Sequence, residues 1–266
     1  MRFRSVQPSI TTIIIAVFIC LFSLPRPAVA EWYAAVYGGL SNEGKLTDVT
    51  MPNHGLRLVN GRTDFNFDPS QGDTLTQTYK TSDISLANSA IFGAKTGYFL
   101  DDPSLRWLGF EVDAFTLKPD FKKSTLETTQ DITYIPGSTV GCPGIPSACP
   151  RGISGERGQF ALQDTSLRVT TLTANVIARY PGKLLQPYVG IGGGVFYFKS
   201  TGQIEGNQFY PGFNAQVGLK VLATEEWGLF VEARYNLANA SNFEPIFGLS
   251  GTYSVYHVVT GIAYHF

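Results

Sequence analysis

Cysteine, methionine, histidine and tryptophan are all scarce in this chain of 266 residues, at three, two, three and three copies. No zinc-ligand spacing, phosphate-binding loop or nucleophile motif can be assembled from what remains, so neither a metal nor any other cofactor is expected. Charge is sparse as well, at 15% of residues. Three of the twenty basic residues and none of the twenty-one acidic ones fall within residues 1–30, which leaves a formal charge of −4 on residues 31–266. Without a basic patch, nucleic acid is not an expected partner. Helix formers never recur at helical spacing for three turns. Beyond residue 24 no apolar run could span a bilayer as a helix, since Ile191 to Phe198 is short and broken by Gly192, Gly193 and Gly194. No proline-rich or low-complexity linker divides residues 31–266, which therefore read as one domain.

What is present points to export and to strands. Arg2 and Arg4 precede an apolar run from Ile10 to Leu24, and Ala28-Val29-Ala30 has the small-x-small form of a cleavage site. Residues 1–30 are accordingly expected to be a cleaved secretory signal peptide. The run is about fifteen residues, short of the roughly 20 a spanning helix needs, and Pro25 and Pro27 end it. The rest is rich in turn glycine and strand aromatics, with 28 Gly, 13 Tyr and 19 Phe in the chain.

Eight segments alternate apolar and polar side chains, near 32–41, 88–100, 105–117, 165–180, 187–199, 209–222, 228–239 and 253–266. The connections alternate in length. Short polar turns such as Asp101-Asp102-Pro103-Ser104 and Ala223-Thr224-Glu225-Glu226 lie on one side. Longer connections near 42–87, 118–164, 200–208 and 240–252 lie on the other. This predicts an all-β, eight-stranded antiparallel transmembrane up-and-down barrel, with turns and both termini in the periplasm and long loops near 42–87 and 118–164 outside the cell. In 108–115, Leu108, Phe110, Val112 and Ala114 would face lipid while Glu111 and Asp113 face inward. Trp32, Tyr33, Tyr98, Phe99, Trp107, Tyr180, Tyr188, Trp227 and Tyr264, all near strand ends, read as an interfacial girdle. A soluble sandwich would bury the apolar stripes instead, but it leaves the girdle and the terminal Phe266 without a reason.

The last segment, with Gly261, Tyr264 and a terminal Phe266, resembles the assembly signal of bacterial outer-membrane barrels; Val259 stands where that signal usually has a polar residue. The resemblance implies recognition by the barrel-assembly machinery. Trp32 to Gly39, Gly97-Tyr98-Phe99, Leu108 to Glu111, Pro187 to Gly194, Gly212 to Leu219 and Phe230 to Tyr235 extend the likeness. The chain resembles OmpA-type or opacity-type eight-stranded outer-membrane barrel proteins, a group rich in surface antigens. That implies a monomer in outer-membrane lipid; a peptidoglycan-binding domain, which some members carry, is not expected.

Lys95, Glu111, Asp113, Asn175, Arg179, Lys220, Glu232 and Arg234 are the expected lumen charge network. An eight-stranded lumen is filled by side chains, so these groups would form a salt-bridged plug rather than an ion path. Cys142 and Cys149 in the second long loop, with no further His or Cys across 118–164, read as a disulfide. His54, His257 and His265 are tied to no Ser or acid by spacing, so enzymatic activity is not expected. Thr74 to Tyr79 and Ser124 to Thr133 have strand propensity, and the barrel would extend beyond the membrane there. Phe65, Phe67, Tyr79, Phe121, Tyr134 and Ile135 read as exposed apolar punctuation of these loops. The function expected is structural or surface-interacting, through the outer loops and an extracellular ligand or host surface. A low-conductance porin is the alternative.

Overall fold

A computed structural model describes residues 31–60, 70, 72–135, 151–163 and 165–266. The expected signal peptide and both loop cysteines, Cys142 and Cys149, lie outside the described residues. Those described form twelve strands and one helix. In chain order they are β1 (Glu31–Thr50), α1 (Pro52–Asn60), β2 (Thr74–Thr81), β3 (Ile84–Ser85), β4 (Ser89–Phe99), β5 (Leu108–Leu117) and β6 (Ser124–Ile135). Then come β7 (Arg151–Leu162), β8 (Thr165–Arg179), β9 (Leu185–Gly202), β10 (Gly206–Leu222), β11 (Trp227–Ala240) and β12 (Ser250–His265).

Eight strands close on themselves in the order β1, β4, β5, β8, β9, β10, β11, β12, each antiparallel to the next. β12 returns to β1 in a register that starts with Tyr33 opposite His265. Closure pairs the two edges that an open sheet would leave free. Alternation then fixes the two faces. Val36, Leu40, Phe92, Phe110, Leu172, Ile191, Val217 and Val258 stand exposed on the outside, while Glu111, Asp113, Glu232 and Arg234 are buried inside. A wall of exposed aliphatic side chains on this scale is stable against hydrocarbon, not water. Aromatic contacts border it at both ends: Trp32 with Tyr98 (ring centroids 5.0 Å) and Trp227 with Tyr264 (4.9 Å) at one, Tyr197 with Phe209 (4.6 Å) and Tyr235 with Tyr256 (4.8 Å) at the other. These are the interfacial belts of a bacterial outer-membrane barrel. Glu31 and His265, the outermost residues of β1 and β12, and the short turns 100–107, 180–184 and 223–226 share one end of the barrel, the end that faces the periplasm in barrels of this kind.

Three members of the expected girdle are not in it. Tyr33, Phe99 and Tyr188 are buried in the lumen. Each follows or precedes an outward residue by one position, and the period of two turns it inward. The outer connection expected over 200–208 shrinks to 203–205, because β9 and β10 keep pairing as far as Ser200 opposite Gly206.

Beyond the membrane β1 bends at two irregularities, between Asn42 and Lys45 and between Thr47 and Thr50, the second with Asp48 at φ 53°. It leads into α1, at nine residues shorter than the three turns that periodicity can register. β2 pairs with β6 and β6 with β7, giving an outer sheet joined to β1 at Thr50 opposite Lys80. The strand propensity of 74–79 and 124–133 is thus realised, with the two segments paired to each other. Tyr79, Phe121 and Tyr134 are buried rather than exposed: the first two belong to the apolar cluster that continues out of the barrel, and Tyr134 to a smaller one with Val59 and Ile132. Ile135 is exposed, and Phe65 and Phe67 lie outside the described residues.

Candidate functional site

Inward-facing side chains fill the barrel in three layers. The periplasmic layer is ionic. Arg179 on β8 donates through both terminal nitrogens to the Glu31 carboxylate of β1, and its guanidinium lies 3.6 Å from the Phe99 ring centroid. His265 Nδ1 lies 2.8 Å from Glu31 Oε1, and Lys220 Nζ lies 3.2 Å from His265 Nε2. Gln186 Oε1 accepts from Arg179 Nη1 at 3.4 Å.

The middle layer joins seven strands. Lys95 Nζ reaches Glu232 Oε2 at 2.6 Å and Glu111 Oε2 at 3.1 Å. Arg234 donates to Asp113 Oδ2 at 2.6 Å, to the Tyr37 hydroxyl at 2.6 Å and through Nε to Glu232. Three phenols complete the carboxylates: Tyr33 to Glu111 (2.5 Å), Tyr37 to Asp113 (2.7 Å) and Tyr188 to Glu232 (2.6 Å). A chain of amides continues from Glu111 through Gln216 and Asn175 to Asn214 and Asn236. Buried charges are tolerated only with such partners. Across both layers four carboxylates (Glu31, Glu111, Asp113, Glu232) face four cations (Lys95, Arg179, Lys220, Arg234), so the lumen has no formal charge excess to draw in an ion.

The outer layer is apolar. Ile91, Phe115, Leu117, Val169, Phe196, Phe198, Tyr253 and Val255 are buried there, continuous with Met51, Ile84, Leu86, Phe243 and Leu249 above. Phe198 meets Tyr253 at 5.1 Å and Tyr210 at 5.8 Å. Two small voids lie within this filling, one between the periplasmic and middle layers and one in the apolar layer. One of about 10 Å³ adjoins Lys95, Glu111 and Lys220. The other, of about 20 Å³, is lined by Leu46, Phe121, Phe198 and Tyr253. Each has room for about one water, so neither is a path for a solute.

A folded cap covers the outer mouth. The α1 backbone N–H groups of Asn53 and His54 donate to Phe247 O (3.1 and 3.3 Å), and Asn53 Nδ2 donates to Pro245 O (2.7 Å). The His54 ring sits among Tyr79 (5.1 Å), Phe160 (5.3 Å) and Phe247 (5.6 Å), tying α1 to β2, β7 and the β11–β12 connection. Burial there, together with the charge of Arg57, holds the imidazole below its ordinary pKa. Glu244, fully buried, accepts from the N–H groups of Ile246 (2.7 Å) and Phe247 (2.5 Å) and shapes that connection.

The eight charged and amide residues singled out in the sequence all face the lumen, in two groups. Lys95, Glu111, Asp113, Asn175, Glu232 and Arg234 share the middle layer, while Arg179 and Lys220 belong to the periplasmic one. The three phenols and the Gln216 and Asn214 amides escape a charge-based search, and Glu31 escapes it by preceding the first segment read from the sequence, near 32–41. Their inward parity was available, but not the partner across the barrel. Gly261 lies where a side chain would run into Val36 O, Phe230 and Tyr37; Tyr264 and Phe266 pack edge to face at 5.1 Å on the outer surface. His257 is buried against Phe115 (5.9 Å), with neither ring nitrogen bonded to an acid or hydroxyl. Among the described residues no group of three or more His, Cys, Asp or Glu side chains could hold a metal.

No family model matches the chain, and no curated protein matches it. Solved structures do. Neisserial surface protein A is 12% identical with a TM-score of 0.45, the match covering 89% of this chain and 99% of that one. Ail, the attachment invasion locus protein of Yersinia pestis, is 10% identical with a TM-score of 0.40, over 90% and 99% of the two chains. The outer membrane protein OprG from Pseudomonas aeruginosa is 14% identical with a TM-score of 0.35, over 90% and 96%. At such identities no residue role passes from one chain to another.

Proposed function

We propose that this eight-stranded outer-membrane barrel is a non-conducting, non-enzymatic scaffold that presents a folded surface outside the cell. The observation that carries the reading is the filled lumen: an ionic plug of matched charges, an apolar layer above it and a cap of α1 and the β11–β12 connection over both. What the chain offers its surroundings is then the cap and the outer sheet of β2, β6 and β7. Their exposed faces alternate Thr, Gln, Lys, Glu and Arg and can meet an extracellular ligand or a host surface. The strand that ends in Tyr264 and Phe266 serves recognition by the assembly machinery in the periplasm.

Two measurements test the reading. The refolded protein in a planar bilayer should give no steady open-channel current; steady conductance would replace the scaffold with a narrow pore. Cells displaying the barrel should adhere to at least one of a panel of extracellular-matrix proteins. A variant with 124–162 shortened to a four-residue turn should lose that adhesion, and equal adhesion by both would remove the outer sheet from the account.

A further inference from the structure

Above the outer aromatic belt β1 carries one exposed cation, Lys45, opposite Ser254 of β12, and β10 carries the neutral Asn207. Three adjacent strands, β5, β8 and β9, gather three cations at that level. Arg168 on β8 stands directly opposite Lys199 on β9, both exposed on the membrane side of the wall. One step along, Leu117 on β5 is opposite Val169, so Lys118 follows in the row beside Arg168. The row immediately below is Thr116, Thr170, Tyr197 and Phe209, with Thr116 bonded to Thr170 (3.2 Å) and Tyr197 packed on Phe209. Two residues of strand separate the rows, about 7 Å. Three cations therefore sit just above the belt that marks the edge of the hydrocarbon, at the depth of lipid headgroups.

Like charges directly opposite on neighbouring strands repel. Among the described residues no carboxylate relieves them, as none of the three cations is in an ion pair. The nearby Asp120 carboxylate instead accepts from the backbone N–H of Leu167, at 3.3 Å. A counter-charge must come from outside the protein, and at this depth the available anions are lipid phosphates. We infer that Lys118, Arg168 and Lys199 form a lateral seat for the phosphates of outer-leaflet lipid. Arg168 supplies a planar fork, the two lysines supply point charges, and Tyr197 and Phe209 lie against the acyl chains below. The seat would fix the β5, β8 and β9 side of the barrel against phosphorylated lipid.

The protein is refolded into nanodiscs holding equal amounts of diphosphoryl lipid A and its phosphatase-treated form, and lipid retention is read by native mass spectrometry. The phosphorylated lipid should be retained preferentially, and K118Q/R168Q/K199Q should lower that preference about 10- to 100-fold. Control variant K80Q/R157Q, which removes exposed cations of the outer sheet, should keep it. Millimolar inorganic phosphate should not displace the lipid. Equal retention of both lipids by the unaltered protein would overturn the seat whether or not the triple variant folds. An unchanged preference in a folded triple variant, or displacement by inorganic phosphate, would overturn it too.

Discussion

Arg234 on β11 reaches across the lumen to Asp113 on β5, Nη1 to Oδ2 at 2.6 Å, with both side chains sealed from solvent. The same guanidinium donates to Tyr37 and Glu232, so one side chain ties β11 to β5 and β1 as well as to its own strand. Such a cross-brace stiffens the cylinder where hydrogen bonds along the wall cannot. It also makes the lumen intolerant of single changes, because each carboxylate would be left buried without its cation.

Arg234→Met should therefore cost about 3–5 kcal/mol, the usual penalty for removing one partner of a buried ion pair. Arg234→Met with Asp113→Leu restores the balance of charge and should recover at least half of that. Urea unfolding in micelles, followed by tryptophan fluorescence, measures both. A single variant as stable as the parent would show that the brace carries no load.

Gly261 makes a different prediction, since the space for its side chain is taken by the Val36 backbone and two neighbouring side chains. A Cβ there would lie 2.3 Å from Val36 O and 2.7 Å from Phe230 and Tyr37 side-chain atoms. β12 and β1 meet at this point to close the barrel, with Tyr37 directly opposite Gly261. Gly261→Leu should block closure and abolish the heat-modifiable band on a gel, whereas Thr260→Val, one position away and facing lipid, should leave it intact.

Why the sequence revealed some of this and not the rest follows from which signals are local. Alternation over about ten residues marks each strand, and residues such as Leu108 to Phe115 carry it without ambiguity. The partner of an inward side chain is a different matter, because it depends on how far successive strands are staggered around the cylinder. Arg179 therefore meets Glu31 of the first strand rather than the Glu111 group, which nothing near it in the chain announces. Aromatic residues misled for a related reason: Trp32 and Tyr33 are adjacent and equally bulky, yet one faces headgroups and the other hydrogen-bonds Glu111. The helix α1 is held by Phe247 and Tyr79, residues remote in sequence, and its nine positions are too few to show a period.

The cap should respond to pH through His54. Its imidazole is held below the ordinary value near 6.5, so the uncharged ring is the form that fits among Tyr79, Phe160 and Phe247. With the docked pKa depressed, the undocked state binds more protons at acid pH, so docking is fully stable above about 6.5 and weakens as pH falls below it. Hydrogen exchange at 52–60, corrected for its intrinsic pH dependence, should quicken between neutral and acid pH while exchange in β10 and β11 does not. His54→Phe should remove the difference. A pH response that survives in that variant would assign it to another group.

Phe198 tests whether the apolar layer or the ionic layer seals the barrel. Its ring is buried among Phe196, Tyr210, Phe243 and Tyr253 and borders the 20 Å³ void, so Phe198→Ala enlarges a space that is already present. The loss of stability should be about 3–5 kcal/mol, toward the low end if neighbouring rings close in. Conductance should nevertheless stay absent, because the Lys95, Glu111, Glu232 and Arg234 network lies intact beneath, with each charge paired across the lumen. A current in Phe198→Ala at unchanged fold would locate the seal in the apolar layer alone. The ionic network would then be a brace around a passage, and Arg234→Met in the same background should raise the current further.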